Sequence, residues 1–258
     1  MTALIEERAG LSYALRDLPL FEGKAAARAA DAGFESMLDY YYFLRYDDPE
    51  QRELDALVDA LVVQETFFFR ELAALEIAVD SLIAPRVAEG KRPRIWCAAC
   101  ATGEEPLTLA MLLAERSLLS HVNLIASDIS ERALNRARRG IYSQRALRQT
   151  PYGGIAARYL DQRGSDLVAD PSLLAAIQFR QVNLLDPPPI GPFDLILCRN
   201  VLIYFDDRRV KQVVDKLSGE LARDGALVVG VSESLLRFGT ALRCEELRGS
   251  FFYRKGPP

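Results

Sequence analysis

The chain has 258 residues, half of them hydrophobic and 26% charged, a composition typical of a globular protein with one large or two modest domains. It contains no apolar run of about 18 residues, and its acidic start, MTALIEERAG, has no basic stretch before an apolar one. We therefore expect no membrane span, no secretory signal and a cytoplasmic location.

The charge is distributed unevenly. Residues 1–80 carry 7 Lys and Arg against 17 Asp and Glu, a net charge of −10. The rest of the chain carries 25 against 19, a net charge of +6. This asymmetry favours two units and argues against nucleic-acid binding by the first one.

Residues 1–80 have the apolar periodicity of helices. Apolar residues recur at helical spacing over 34–41, 54–62 and 72–82, and Gly90 and Pro93 follow the last of these stretches as stop signals.

From Arg94 onward, short apolar runs alternate with helical stretches. The runs RIWCA, VNLIASD, IQFRQVN, FDLILCR and ALVVGVS are predicted strands, and GSFFYRK is predicted as a late edge strand. Gly225 is the expected C-cap of the helix DRRVKQVVDKLSGELARDG. The alternation predicts an α/β fold with a mostly parallel, doubly wound sheet.

Cys97 and Cys100 form a C-x-x-C pair, a spacing found in zinc and redox sites. Zinc would normally need two more ligands at short spacing, and the only histidine is His121. We therefore expect reduced, half-buried thiols and no metal.

Ligands of such sheets bind at the carboxyl ends of the strands. The turn after the first strand, ACATGEEP, is built of small residues that allow backbone amides to approach a ligand. It lacks the G-x-G-x-x-G pattern of a pyrophosphate site. Glu104 and Glu105 are explained equally well as acids favoured in the first turn of a helix.

Polar residues also end three later strands. Asp128 lies about 25 residues beyond the turn, where an acid can accept both ribose hydroxyls of an adenosine cofactor. Its alternative role is a helix N-cap, which Ser130 could fill equally well. Asn183 and Asn200 follow the next two strand candidates. The pattern fits an adenosine ligand without pyrophosphate, and S-adenosylmethionine is the common one.

The segments ETFFFRE, CATGEEP, ASDISERALNRARRGIY, VNLLD and FDLILCRNVLIYF follow the order and spacing of the CheR family. The chain resembles these chemotaxis receptor methyltransferases, which methylate receptor glutamates, from about Leu4 to Tyr253. The resemblance implies a helical N-terminal domain (1–70), a linker helix (71–93) and a Rossmann-like S-adenosylmethionine-dependent methyltransferase domain (94–258) with a small inserted β-subdomain (about 142–178).

The resemblance also assigns site residues by motif. The expected contacts of S-adenosylmethionine, or of its product S-adenosylhomocysteine, are Gln64, Thr66, Arg70, Glu105, Asp128, Asn183, Leu184, Asn200 and Val201. Arg70 and Tyr204 are the expected catalytic residues, beside the transferred methyl group and the reacting carboxylate. Some of the phenylalanines Phe67–Phe69 are expected to pack the domain junction, while another shields the pocket.

The implied reaction converts glutamate side chains of a chemoreceptor-like signalling protein into methyl esters. The implied partner is the cytoplasmic helical domain of such a receptor, with no nucleic acid, no membrane insertion and no metal. Glutamate has an ordinary pKa of about 4.3 and is already a carboxylate at neutral pH, so the attack needs no general base. The enzyme must supply alignment and a closed site.

Two features depart from the family pattern. Gln64 stands where the family usually has Asn, and the helix that is arginine-rich in many relatives carries only Lys24 and Arg28 here. Such an acidic domain should repel a glutamate-rich receptor. Another candidate docking region contains Arg132, Arg136, Arg138, Arg139, Arg145 and Arg148. A solvated basic helix face explains that stretch at least as well.

The main alternative function is a non-catalytic module of a chemosensory pathway that binds S-adenosylmethionine or S-adenosylhomocysteine. The altered Gln64 leaves room for it, whereas the intact Arg70, Asp128 and Asn200 argue against it. A small-molecule methyltransferase would leave the helical domain without a role. A nicotinamide-dependent dehydrogenase would need phosphate-binding glycines.

Overall fold

The computed structural model describes residues 1–148, 153–187 and 191–256. Its helices are α1 (Thr2–Ala9), α2 (Leu18–Asp31), α3 (Met37–Tyr42), α4 (Arg52–Leu61), α5 (Leu72–Ala78), α6 (Ala84–Ala88), α7 (Glu104–Glu115), α8 (Glu131–Arg139), α9 (Gly154–Tyr159), α10 (Pro171–Ala175) and α11 (Asp207–Glu220). Its strands are β1 (Arg94–Ala98), β2 (Asn123–Asp128), β3 (Ile141–Ser143), β4 (Leu160–Arg163), β5 (Asp166–Ala169), β6 (Ile177–Gln181), β7 (Phe193–Cys198), β8 (Leu221–Val228), β9 (Leu242–Leu247) and β10 (Ser250–Lys255). In the described part of the chain, no helix combines the length and apolarity needed to cross a membrane.

Helices α1 to α4 pack around an apolar core of their own. In α4 the residues Leu54, Leu57, Val58 and Leu61 recur at helical spacing and are buried. Ser36 caps α3, since its hydroxyl accepts hydrogen bonds from two backbone N–H groups of the first turn.

A linker follows, made of α5, a π-helical segment (Val79–Ile83) and α6. It buries Leu75 and Ile83 in the core that lies on one face of the large sheet. The predicted stop after this helix is confirmed, because α6 ends at Ala88 and Gly90 adopts a φ of +77°.

The large sheet has the strand order β6-β2-β1-β7-β8-β10-β9. The first five strands pair in parallel, and β10 runs antiparallel to both of its neighbours. Strands β1 and β7 are almost continuously apolar because apolar cores cover both faces of the sheet. The predicted α/β fold with a mostly parallel sheet is confirmed.

Two local predictions were wrong. GSFFYRK forms β10, but β10 lies between β8 and β9, so it is not an edge strand. Helix α11 ends at Glu220, and Gly225 lies inside β8 and is not a C-cap. A Cβ at Gly225 would lie 2.8 Å from the carbonyl oxygen of Phe193, where the pairing of β7 with β8 is irregular. Close backbone approach is therefore what this glycine permits.

A second, antiparallel sheet of order β3-β5-β4 lies in the chain between α8 and β6. Its strands fall in the stretch where an inserted β-subdomain is predicted (about 142–178), of which residues 149–152 lie outside the described residues. Tyr142 of β3 is buried and donates a hydrogen bond to the carbonyl of Thr102 at 2.9 Å. The inserted sheet is thereby held against the turn that follows β1.

Candidate functional site

A cavity of about 820 Å³, including its open mouth, lies at the carboxyl ends of β1, β2, β6 and β7. Nine of the ten predicted site residues line it: Gln64, Thr66, Arg70, Asp128, Asn183, Leu184, Asn200, Val201 and Tyr204. Because parallel strands end at the same edge of the sheet, side chains distant in sequence meet there. The tenth, Glu105, does not line the cavity.

Asp128 ends β2 and is buried, with both carboxylate oxygens bound to backbone amides. One oxygen accepts from the N–H of Ala101 at 2.8 Å, and the other from the N–H of Ser130 at 2.9 Å. Burial raises the pKa of Asp128, and these backbone hydrogen bonds oppose the rise. The N-cap of α8 is Ser130 and not Asp128. Asp128 is instead one of the residues that line the cavity.

The turn between β1 and α7 needs small residues with left-handed backbones. Ala99, Ala101 and Gly103 have φ values of 60°, 47° and 94°. A Cβ at Gly103 would lie 2.7 Å from the Cβ of Ala137 in α8, so this position admits only glycine without displacement. In this tight turn the amide of Ala101 lies within hydrogen-bond distance of Asp128, and both residues line the cavity.

Glu105 belongs to a buried ion cluster centred on Arg199. The Arg199 guanidinium donates to Glu105 at 2.7 Å, to Glu71 at 3.1 Å and to the carbonyl of Arg70 at 2.7 Å. Burial lowers the pKa of Arg199, but the two carboxylates together raise it above its usual value. Burial raises the pKa of Glu105, and Arg199 partly offsets this. The cluster holds the segment containing Arg70 against β7 and α7.

Arg199 was missed by the sequence analysis, although a signal for it existed. It directly follows the fully buried end of β7 and is itself buried, with its side chain 1% exposed. Charged side chains are rarely buried without partners, so an Arg directly after such an apolar run predicts an ion cluster.

Glu233 was missed as well. Its carboxylate accepts from the N–H groups of Asn200, Leu202, Ile203 and Gly230 at 2.6, 2.8, 3.3 and 2.7 Å. It thus organises the loop after β7, in which Asn200 has a φ of 58°. No local pattern marks this role, because Glu233 lies in the loop after β8.

Arg70 and Tyr204 both line the cavity and are partly exposed. The Arg70 guanidinium lies 5.4 Å from the ring centre of Phe67 and donates to the carbonyl of Glu65 at 3.2 Å. Burial, and then the nearby Glu65 carboxylate, raise the pKa of Tyr204. The Tyr204 phenol is therefore protonated at neutral pH and can donate a hydrogen bond.

The three phenylalanines divide differently from the expectation. Phe68 and Phe69 are buried in the sheet core, where Phe68 packs edge-on against Tyr142 with ring centres 4.9 Å apart. Phe67 is half-buried beneath the guanidinium groups of Arg70 and Arg148, the latter 4.4 Å from its ring centre. None of the three rings is among the described residues that line the cavity, so the expected shielding ring was wrong.

Residues from the α1–α4 region line part of the cavity, among them Ala9, Leu11 and Val62. The Asn183 side chain donates to the carbonyl of Arg8 at 2.7 Å, and the N–H of Ser12 donates to the carbonyl of Tyr204 at 2.9 Å. Gln64 donates to the hydroxyl of Ser130 at 2.9 Å. Gln64 and Asn183, two of the predicted cofactor contacts, therefore also link the first part of the chain to the part that contains the sheet.

The cysteines lie outside this chemistry. Cys97 and Cys100 are free and fully buried, and burial raises the pKa of both thiols well above the usual value. Within residues 1–148, 153–187 and 191–256, no group of three or more His, Cys, Asp or Glu side chains could hold a metal ion.

The residues present fit an adenosine cofactor that carries an amino-acid tail. A buried carboxylate is available to hydroxyl groups, apolar walls come from Ile129, Val182 and Leu184, and the polar residues Thr66 and Asn200 lie elsewhere on the wall. The turn after β1 offers no glycine-rich anion cradle, which argues for a ligand without pyrophosphate.

The family described as CheR methyltransferase, SAM binding domain, matches residues 64–250, a span that includes all ten predicted site residues. Chemotaxis protein methyltransferase 2 of Vibrio cholerae is 34% identical over 86% of this chain and 79% of its own. The chemotaxis protein methyltransferase of Borreliella burgdorferi is 32% identical over 88% and 83%. The probable biofilm formation methyltransferase WspC of Pseudomonas putida is 32% identical over 96% of this chain and 59% of its own.

Proposed function

Since the chain belongs to the CheR methyltransferase family, whose cofactor is S-adenosylmethionine, we propose that it methylates glutamate side chains of a chemoreceptor-like signalling protein. The observation that carries the proposal is the arrangement of the cavity. Asp128 lies on its wall at the end of β2, and the partly exposed Arg70 and Tyr204 lie on the same wall. A cofactor held by Asp128 would be reached by an acceptor entering past these two side chains.

Eight of the nine predicted cofactor contacts lie on the cavity wall and would hold S-adenosylmethionine. Asp128 would accept the ribose hydroxyls, while Asn183 and Leu184 would frame the adenine. Gln64, Thr66 and Asn200 would face the remaining polar groups. Glu105 acts through Arg199 in this proposal, because its carboxylate is paired there and does not reach the wall.

Bound S-adenosylmethionine would supply its sulfonium methyl group to a glutamate carboxylate oxygen, which would leave the glutamate methyl ester and S-adenosylhomocysteine. A carboxylate is the nucleophile, so no side chain of this protein has to remove a proton. The required contribution is alignment in a site that excludes water. The Arg70 guanidinium and the protonated Tyr204 phenol would hold the acceptor carboxylate by charge-assisted hydrogen bonds.

The names of the relatives support a proposal for the partner. Those of Vibrio cholerae and Borreliella burgdorferi are chemotaxis protein methyltransferases, and that of Pseudomonas putida is a probable biofilm formation methyltransferase. We therefore propose the cytoplasmic helical domain of a chemoreceptor, or of a related signalling protein, as the acceptor.

The test is methyl transfer from tritium-labelled S-adenosylmethionine to a purified receptor cytoplasmic domain, measured as methanol released by alkali from methyl esters. Arg70→Ala should lower turnover by about a hundredfold with an unchanged melting temperature, because the residue acts on the reactants. The control is Arg223→Ala, which removes an exposed arginine near the amino end of β8 and should leave turnover unchanged.

An Arg70→Ala enzyme with normal turnover would contradict the proposed role of Arg70. A wild-type protein that binds S-adenosylhomocysteine but esterifies no receptor domain would instead favour the non-catalytic binding module.

A further inference from the structure

One segment of the catalytic domain is strongly basic. Residues 131–148, which include α8, carry six Arg and one Glu, a net charge of +5. The apolar face of α8 is already buried, through Ala133, Leu134 and Ala137. Its arginines therefore project to solvent rather than covering an apolar surface.

Three of the six arginines have partners within the protein. Arg132 donates to the carbonyl of Asp59 at 2.9 Å, Arg138 pairs with Glu131 at 2.6 Å, and Arg148 pairs with Glu65 at 2.5 Å. The other three, Arg136, Arg139 and Arg145, are exposed and have no ion pair within the described part of the chain. We name these three residues the basic patch.

The Arg145 end of the basic patch lies close to the wall of the cavity. Arg145 lies in a 3-10 turn (Gln144–Leu147), and the carbonyl of Ala146 in that turn accepts from the N–H of Phe68 at 2.8 Å. Arg148, which follows the turn, pairs with Glu65 on the cavity wall. A partner on the patch would thus lie next to the segment that carries Glu65 and Arg70 on the cavity wall.

Helix α2 offers no comparable surface. Its only cations are Lys24 and Arg28. Arg28 is held by both carboxylate oxygens of Glu53 at 2.8 and 2.5 Å, and Lys24 donates to the carbonyl of Leu61 at 3.3 Å. The two cations are therefore engaged inside a domain of high negative charge.

We propose that an acidic segment of the methyl-accepting protein docks on the basic patch rather than on α2. This rests on the proposed function, since a protein methylated on glutamates presents carboxylates around the acceptor. Exposed guanidinium groups recognise carboxylates with two parallel hydrogen bonds. Arg136 and Arg139 also lie one turn apart on α8, where like charges repel, and a bound acidic segment relieves that repulsion.

The experiment compares two triple variants of the full chain. The patch variant is Arg136→Gln, Arg139→Gln, Arg145→Gln. The control is Arg92→Gln, Arg223→Gln, Arg243→Gln, which changes the charge equally at exposed positions near the amino ends of β1, β8 and β9. The probe is a dye-labelled synthetic helical peptide of glutamate–alanine heptads, followed by fluorescence anisotropy.

The patch variant should bind the peptide about tenfold more weakly at low salt, since three exposed charge pairs are lost, and the control variant should change by less than about twofold. The difference should shrink as salt is added. Equal weakening in both variants, or no binding of the peptide by the wild-type chain, would overturn the proposal. Tighter, patch-dependent binding to a DNA duplex or to phosphatidylserine vesicles would overturn it in favour of another polyanion.

This assay is independent of methyl transfer. If the receptor domain yields no methyl ester while the peptide still binds through the patch, the proposed function fails and the docking surface remains. If the patch variant forms methyl esters as fast as the wild type and binds the peptide as tightly, the docking proposal fails and the proposed function remains.

Discussion

Replacing Arg199 by methionine tests the buried ion cluster that supports the site. The substitution keeps a long side chain but removes the charge that faces Glu105 and Glu71. These carboxylate side chains are only 14% and 18% exposed. Removing one partner of a buried ion pair typically costs about 3–5 kcal/mol, because the remaining charge stays buried and uncompensated. We expect a loss of unfolding free energy of about that size at neutral pH.

The loss should depend on pH in a defined direction. Burial already raises the pKa of Glu105, and Arg199 opposes the rise, so the pKa rises further in the variant. A carboxyl whose pKa is higher in the folded than in the unfolded state takes up its proton in the folded state first. Folding then becomes more favourable as pH falls through the folded-state pKa, by up to about 1.4 kcal/mol per pH unit for one proton.

The measurement is urea unfolding of both proteins between about pH 8 and about pH 5, a range that lies above the ordinary glutamate pKa. The single tryptophan, Trp96, is 1% exposed in the sheet core and provides the fluorescence signal. The difference in unfolding free energy between wild type and Arg199→Met should shrink toward the acid end. Adding Glu105→Gln to the variant should recover part of the stability and flatten the pH dependence. A difference below about 1 kcal/mol, or one that grows with acid, would refute this account of the cluster.

Two further substitutions address the cavity wall and the loop that supports it. Asp128→Asn keeps the shape of the side chain but turns an amide N–H toward the N–H of Ala101 or Ser130 and removes a charged acceptor, so affinity for S-adenosylhomocysteine should fall about tenfold to a hundredfold in calorimetry. Unchanged affinity would exclude Asp128 from the cofactor site. Glu233→Gln leaves one oxygen for four backbone N–H groups and should lower the unfolding free energy by about 2–3 kcal/mol, measured by urea unfolding. A loss below about 1 kcal/mol would mean that the loop after β7 does not depend on this carboxylate.

The sheet and the strand-end residues could be predicted because their signals are local. β1 and β7 read as apolar runs, and Asp128 and Asn200 stand where such runs end. Parallel pairing then brings these ends to one edge without further information about distant contacts. This rule and the family motif together predicted ten site residues, and nine of them line one cavity.

The contacts that hold the site together could not be predicted in this way. Arg199 meets Glu105 across 94 positions, and Glu71 across 128. A Glu at the start of α7 has a sufficient local explanation in the helix dipole, so its sequence context does not reveal a buried partner. Gly225 shows the same limit: a glycine after a helical pattern predicts a C-cap, but the strand pairing of β8 with β7 overrides that local preference.

The uneven charge of the chain has a structural counterpart at the junction of its two parts. Acids of the acidic first part bind arginines of the rest, as Glu65 binds Arg148 and Glu71 binds Arg199. Both contacts flank Arg70, so the charge that attracts the two parts to each other also fixes the segment bearing the proposed catalytic arginine. Asn183 and Tyr204 also form hydrogen bonds with the backbone of Arg8 and Ser12 in the first part of the chain. Since a ligand in this cavity would contact residues held from both parts, its binding free energy must stabilise their junction as well as the site.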